Sequence, residues 1–198
     1  MNNIQEEQQG LIAMADLFTA IWMGEWNTYE DFFQSIPVEF HGELPFHGHY
    51  NREEADLWLQ NHFSIPGEHF ISPYYSSYRA PGQDEEVKRN SLLRLIGMYE
   101  RTGYYFPLEK EIYPDHIAAL TGFAASILKE EAKAAEQEDK EYLDQLGKLK
   151  RDVVEIYLAP LVSSIKVAAQ GKVNNPFVDQ FVLSVSEFVE KDLLAEHN

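Results

Sequence analysis

Cysteine is absent from the 198-residue chain. That absence excludes disulfide scaffolds, thiolate-bound zinc, iron–sulfur clusters and thiol nucleophiles. Cations are scarce: 16 Lys and Arg stand against 33 Asp and Glu, a formal net charge of −17. Neutralising a nucleic-acid backbone takes a surplus of Lys and Arg, so no nucleic-acid partner is expected. Long apolar runs are also missing. No stretch approaches the ~18 uninterrupted apolar residues of a membrane span, so no stable membrane insertion is expected. The first residues, Met1-Asn2-Asn3-Ile4-Gln5-Glu6-Glu7, have neither a basic start nor a small-residue cleavage site. They do not read as a signal peptide, and the cytoplasm is the expected compartment. Phosphate-binding loops, a G-x-S-x-G elbow, H-E-x-x-H and EF-hand patterns are absent as well, so nothing argues for an enzyme.

Hydrophobic residues make up 44% of the chain and aromatics 13%, too much for global disorder. The length suits one substantial core, and residues 1–198 are expected to form a single domain. Charge and aromatics are unevenly spread. Residues 1–78 hold 12 acidic side chains against one basic one, Arg52, and carry all three Trp and 15 of the 26 aromatics. Two readings compete for this segment. One is an aromatic core inside an acidic shell. The other is a surface for a cationic, partly apolar ligand, held by carboxylate–guanidinium pairs and cation–π contacts.

Apolar spacing is helical nearly throughout. A first helix is expected over residues 4–23, with Gly24 ending it. Asn27 or Thr28 caps a short helix through Phe33, and residues 36–50 read as loop. Asn51 starts the next helix, with Glu53 and Glu54 in its first turn, where acids suit the macrodipole. Residues 64–83 form a long, Tyr-rich loop, and Asp84-Glu85-Glu86 opens a helix ending near Gly103. After a connector at 104–114, Asp115 is expected to cap an apolar helix through Leu128. The charge-dense stretch 129–152 reads as an exposed helix pair or one helix end. Pro160 is expected to kink or restart the following helix, and a last helix covers 177–194. Alternating apolar and polar runs are lacking, so the fold class is all-α, a bundle of about seven to nine helices.

Two clusters carry candidate chemistry. His47-Gly48-His49, with His41, His69 and a carboxylate such as Glu43, could hold a metal, yet the spacing matches no established metal signature. Two other segments differ from ordinary connectors: Ile71-Ser72-Pro73-Tyr74-Tyr75-Ser76-Ser77-Tyr78 and Tyr113-Pro114-Asp115-His116. Tyr is a rigid, amphipathic contact residue suited to peptide recognition. Asp115 reads either as a helix cap or as an acceptor for a guanidinium. His116 beside it reads as a hydrogen-bonding or pH-sensitive partner.

The Ser-Pro-aromatic loop at 72–78, followed by Pro114-Asp115-His116 opening an apolar helix with Ile117, Leu120 and Phe123, resembles the TorD/DmsD/NarJ family of redox-enzyme maturation chaperones. The DmsD/TorD branch is the nearest. This chain departs from the family pattern at Ala119-Leu120-Thr121-Gly122, where many members carry an acid. Tyr157-Leu158-Ala159-Pro160 follows the later family pattern only loosely. The resemblance implies an all-helical cytoplasmic chaperone that is no enzyme and needs no metal or cofactor of its own. It implies binding of the twin-arginine signal peptide and the apo form of a molybdopterin oxidoreductase catalytic subunit, assistance to cofactor insertion, and a delay of Tat export. It points to Asp115, His116, Pro114, Tyr74, Tyr75, Ser76 and Tyr78 as the peptide-binding residues, and leaves monomer and domain-swapped dimer both open. Alternatives are a His-cluster metalloprotein and a helical scaffold without leader specificity.

Overall fold

A computed structural model describes residues 3–78, 85–105 and 111–194. Among them stand eight α-helices and no strand: α1 Asn3–Trp22, α2 Trp26–Ser35, α3 Arg52–Phe63, α4 Glu85–Glu100, α5 Ile117–Glu136, α6 Lys140–Val153, α7 Ala159–Ala169 and α8 Pro176–Glu187. The all-α expectation is met. Asp84 and parts of the expected segments 64–83 and 104–114 fall outside the described residues.

Local chemistry sets the helix ends. Gly24 closes α1 with φ +66°, a left-handed conformation that glycine adopts without a Cβ penalty. Asn51 caps α3 by accepting from the Glu54 N–H at 3.1 Å, and Asn175 caps α8 by accepting from Val178 at 3.0 Å. The second helix departs from expectation. It begins at Trp26, and its cap residue, Glu25, makes no side-chain capping bond. The charge-dense stretch resolves into a helix pair, with α5 ending at Glu136 and α6 starting at Lys140 under an Asp139 cap.

Residues 36–50 are not plain loop. They wind into two 3-10 turns, Val38–Glu43 and Pro45–His49. The reason is tertiary: Phe46 is fully buried and meets Phe18, Phe177 and Phe181 at ring distances near 6 Å. Pro160 lies in the first turn of α7, which starts at Ala159, so a helix restarts at the proline as expected. One π turn, Val154–Leu158, joins α6 to α7, and the Ala159 N–H reaches back to the Val154 carbonyl. A proline lacks the N–H and crowds the carbonyl four residues earlier. A widened π turn accommodates that defect.

The central pair is α1 against α5, running antiparallel: Thr19 bonds Thr121 at 3.0 Å while Lys129 bonds Asp16 at 2.7 Å. Helix α6 packs on α5, and α7 on α8. Most N-terminal aromatics go inward. Trp22, Trp26, Tyr29, Phe33 and Phe63 are buried, with Trp22 against Phe63 at 4.9 Å and Phe181 at 4.8 Å. These side chains build the aromatic core of the first reading, while Phe40 is exposed and Tyr74 and Tyr78 stay partly exposed. The segment's lone cation, Arg52, bridges α3 to α2 through Glu30 at 3.0 Å and Asn27 at 2.8 Å.

Candidate functional site

The two segments singled out in the sequence meet. The chain at Tyr74 pairs antiparallel with the chain at His116. The Tyr75 N–H donates to the Asp115 carbonyl at 3.1 Å, and the Ile117 N–H donates to the Pro73 carbonyl at 2.9 Å. These two backbone bonds pin the loop to the start of α5. Residues 75–78 then close a short 3-10 turn. The loop is further tied by its own side chains: Tyr78 donates to the Ser72 carbonyl at 2.8 Å, and Ser72 donates to the Ser77 hydroxyl at 2.7 Å.

Asp115 is not the helix cap that its position suggests. His116 is: its backbone is extended (φ −68°, ψ 141°) and its Nδ1 accepts from the Ala118 N–H at 3.1 Å. Asp115 stands one residue earlier and is 2% exposed. Its Oδ2 accepts from the Ser76 N–H at 2.8 Å, a charge-assisted bond between the two motifs. Local spacing could not choose between Asp115 and its neighbour as the cap, because the choice depends on a loop 39 residues away.

His116 is buried, and burial lowers its pKa to about 4. With Nδ1 accepting a backbone N–H, its proton sits on Nε2 and the ring is neutral near pH 7. Of the two sequence-based roles, hydrogen bonding is the one built here. Titration near neutrality is not. Tyr74 lays its ring edge-on to His116 at 4.9 Å and to Tyr113 at 6.0 Å. Burial, then the nearby Asp115 charge, then Tyr113 raise the Tyr74 pKa. Tyr113 is 68% exposed, so the site presents aromatic edges to solvent beside a buried carboxylate. Tyr75 turns the other way, packing on Tyr157 of the π turn at 5.1 Å.

The candidate residues Pro114, Asp115, His116, Tyr74, Tyr75, Ser76 and Tyr78 therefore lie in one assembly. Two supports escaped sequence reading. Tyr99 donates to the Pro114 carbonyl at 2.6 Å, and Tyr157 donates to the Ser91 carbonyl at 3.1 Å while it carries Tyr75. Both are buried tyrosines on apolar helix faces, so their helical spacing signals only core. The one hint is their hydroxyl, which needs a partner when buried.

The histidine candidates arrange otherwise. His47 stacks on Phe33 at 3.5 Å and bonds the Tyr29 hydroxyl at 2.8 Å. His41 bonds the Phe33 carbonyl at 3.0 Å. His49 and His69 are exposed. Among the described residues no group of three or more His, Cys, Asp or Glu is arranged to hold a metal.

The family model described as "Nitrate reductase delta subunit" matches residues 51–163, an interval containing both motifs and the helix they open. No curated protein and no solved structure matches the chain. Members of that family are chaperones and assembly factors that bind molybdoenzyme subunits. The matched interval is more than half of the chain, and the chain belongs to the nitrate reductase delta subunit family of molybdoenzyme maturation chaperones.

Proposed function

We propose that this chain binds the twin-arginine signal peptide of a molybdopterin oxidoreductase catalytic subunit. It holds the apoenzyme in the cytoplasm while cofactor is inserted, and it delays Tat export until then. Its nearest branch in this reading is DmsD/TorD, and its 198 residues work as one chaperone domain without catalytic activity. The observation that carries the proposal is the backbone pairing that joins the loop at 72–78 to Pro114-Asp115-His116. Sequence motifs far apart in the chain are built into one surface, with exposed aromatic edges beside a carboxylate.

A twin-arginine leader offers two guanidiniums and then an apolar run. Tyr74 and Tyr78 supply amphipathic ring surface for the apolar part, and Tyr75 anchors the loop on Tyr157. Arg forms bidentate, charge-assisted pairs with carboxylates, so a guanidinium competes well with the single Ser76 N–H for Asp115. Pro114, Ser76 and His116 hold the loop and helix start in register for that exchange.

Titration of a labelled twin-arginine leader and its Lys-Lys variant against the full chain tests this. Tighter binding of the Arg-Arg form is expected. Undetectable binding to leaders of molybdoenzymes encoded nearby would overturn it. Asp115→Ala is expected to weaken leader binding at least about tenfold, equivalent to ~1.4 kcal/mol, with helix content unchanged by circular dichroism. Unchanged affinity would remove Asp115 from the site.

A further inference from the structure

We propose that helix α4 is the moving part of the leader site: a peptide that draws the loop at 72–78 off Asp115 loosens α4 from the bundle. The inference deepens the leader reading and rests on it for the identity of the peptide. The coupling between loop and helix is carried by Tyr75, Tyr157 and Tyr99, and it can be measured with no peptide present.

Both halves of the site reach α4. On the loop side, Tyr75 packs its ring on Tyr157 at 5.1 Å, and the Tyr157 hydroxyl donates to the Ser91 carbonyl in the middle of α4 at 3.1 Å. On the α5 side, the Pro114 carbonyl accepts from the Tyr99 hydroxyl of α4 at 2.6 Å. Ser91 and Tyr99 stand eight residues apart on α4, about 12 Å along its axis. Each motif therefore holds α4 at its own point. The halves are joined to each other where the Ser76 N–H meets Asp115 Oδ2 at 2.8 Å and the Tyr75 N–H meets the Asp115 carbonyl at 3.1 Å. Tyr75 and Ser76 are neighbours, so a loop that leaves Asp115 carries Tyr75 off Tyr157. Water then reaches the Tyr157 hydroxyl, which is buried in the seated state, and competes for it with Ser91.

Helix α4 is built to respond. Leu95, Met98 and Tyr99 are its buried residues, three of 16, against twelve of 20 in α5. Its Leu93 is 57% exposed. Arg94 pairs with Asp152 of α6 at 4.0 Å with both side chains about half-exposed, and such a pair contributes little. A helix with so little buried surface opens locally at small cost, so each hydroxyl bond is a sizeable part of what seats it. The peptide acts through a difference in affinity. A guanidinium reaches Asp115 fully where the Ser76 N–H has left, so it binds the released loop better and shifts the population toward it.

Hydrogen exchange read by mass spectrometry on the full chain tests the coupling. Without peptide, Tyr75→Ala is expected to speed exchange in residues 91–99 by about fivefold or more, with α1 and α8 unchanged. Tyr157→Phe keeps the ring and removes the bond to Ser91, and it is expected to speed the same residues. Tyr75→Ala added to Tyr157→Phe is then expected to change them no further, because both act through one contact. A saturating twin-arginine leader is expected to speed exchange in 91–99 of the wild type. Reciprocity requires Tyr157→Phe to bind that leader more tightly, by up to about fivefold; a residue that merely held the fold would not tighten binding when weakened.

Four results would overturn the inference: additive effects of Tyr75→Ala and Tyr157→Phe, equal speeding of α1 and α8, a leader that binds and leaves 91–99 as protected as before, or a Tyr157→Phe chain that binds it no more tightly. A leader that does not bind removes the leader reading instead, and the peptide-free cycle then decides the coupling of loop and α4 by itself. Were Tyr75→Ala to lose helix content by circular dichroism, Asp115→Ala, which frees the loop from the other side, takes its place.

Discussion

Asp115 and His116 adjoin in sequence and are both buried, and each holds a different piece of backbone: Asp115 the Ser76 N–H, His116 the Ala118 N–H. The His116 bond has a pH consequence. Its pKa falls from 6.5 to about 4 on folding because burial disfavours the cation. The unfolded chain therefore takes the proton first as pH drops. Stability from this group is complete above pH 6.5 and is lost as pH falls toward 4. A shift of that size is worth about 3 kcal/mol. Asn is a good helix cap and does not titrate. Denaturant unfolding of His116→Asn is expected to show its stability gaining on wild type by about 3 kcal/mol between neutrality and pH 4. A parallel pH profile would refute the assignment. His47 and His62 are lowered by burial too and stay in both proteins.

Gly122 is a second residue with a tertiary reason. A Cβ there would lie 2.6 Å from the Tyr104 hydroxyl and 3.3 Å from Thr19 Cγ2. Tyr104 in turn donates to the Ala119 carbonyl at 3.2 Å, closing the loop after α4 onto α5. Gly122→Ala gains up to about 1 kcal/mol of helix propensity and meets overpacking of about 1–3 kcal/mol. A net loss of about 1 kcal/mol in urea unfolding is expected. Tyr104→Phe in the same chain removes the clashing oxygen, and the double mutant is expected to recover part of the loss.

At the scale of elements, the turn between α5 and α6 carries local strain. Glu138 sits at φ +57°, directly after the α5 cap residue Gln137, where glycine is the usual occupant. Glu138→Gly is expected to stabilise the chain by up to about 1 kcal/mol in a denaturant titration, and destabilisation would show that a Glu138 contact outweighs the strain. The helices themselves were legible in the sequence because apolar spacing, cap residues and Gly24 act within a few residues. The π turn before Pro160 was not. Whether the turn before a restarting proline is α or π depends on what packs against it, and here Val153, Val154, Tyr157 and Leu158 are all buried. The two 3-10 turns at 38–49 were hidden for the same reason: Phe46 is anchored by α1 and α8, not by its neighbours.

The whole molecule carries a net charge of −17. Most ion pairs in the described residues are exposed, such as Lys88–Glu85 and Lys133–Glu130, and such pairs contribute little. Self-repulsion among acids is then the larger electrostatic effect on folding. Added salt shortens the Debye length to about 3 Å at 1 M. The thermal midpoint is expected to rise with NaCl in scanning calorimetry, and a fall would mean that ion pairs outweigh the repulsion. The sequence by itself determined the fold class, most helix positions, the acidic surface and the residues that resemble a chaperone family, because these follow from composition and short-range periodicity. Tertiary structure decided that the two motifs pair, that His116 rather than Asp115 caps α5, and which of the N-terminal aromatics are core. Each of these depends on groups tens of residues apart meeting at hydrogen-bond or van der Waals distance, and no local pattern records such meetings.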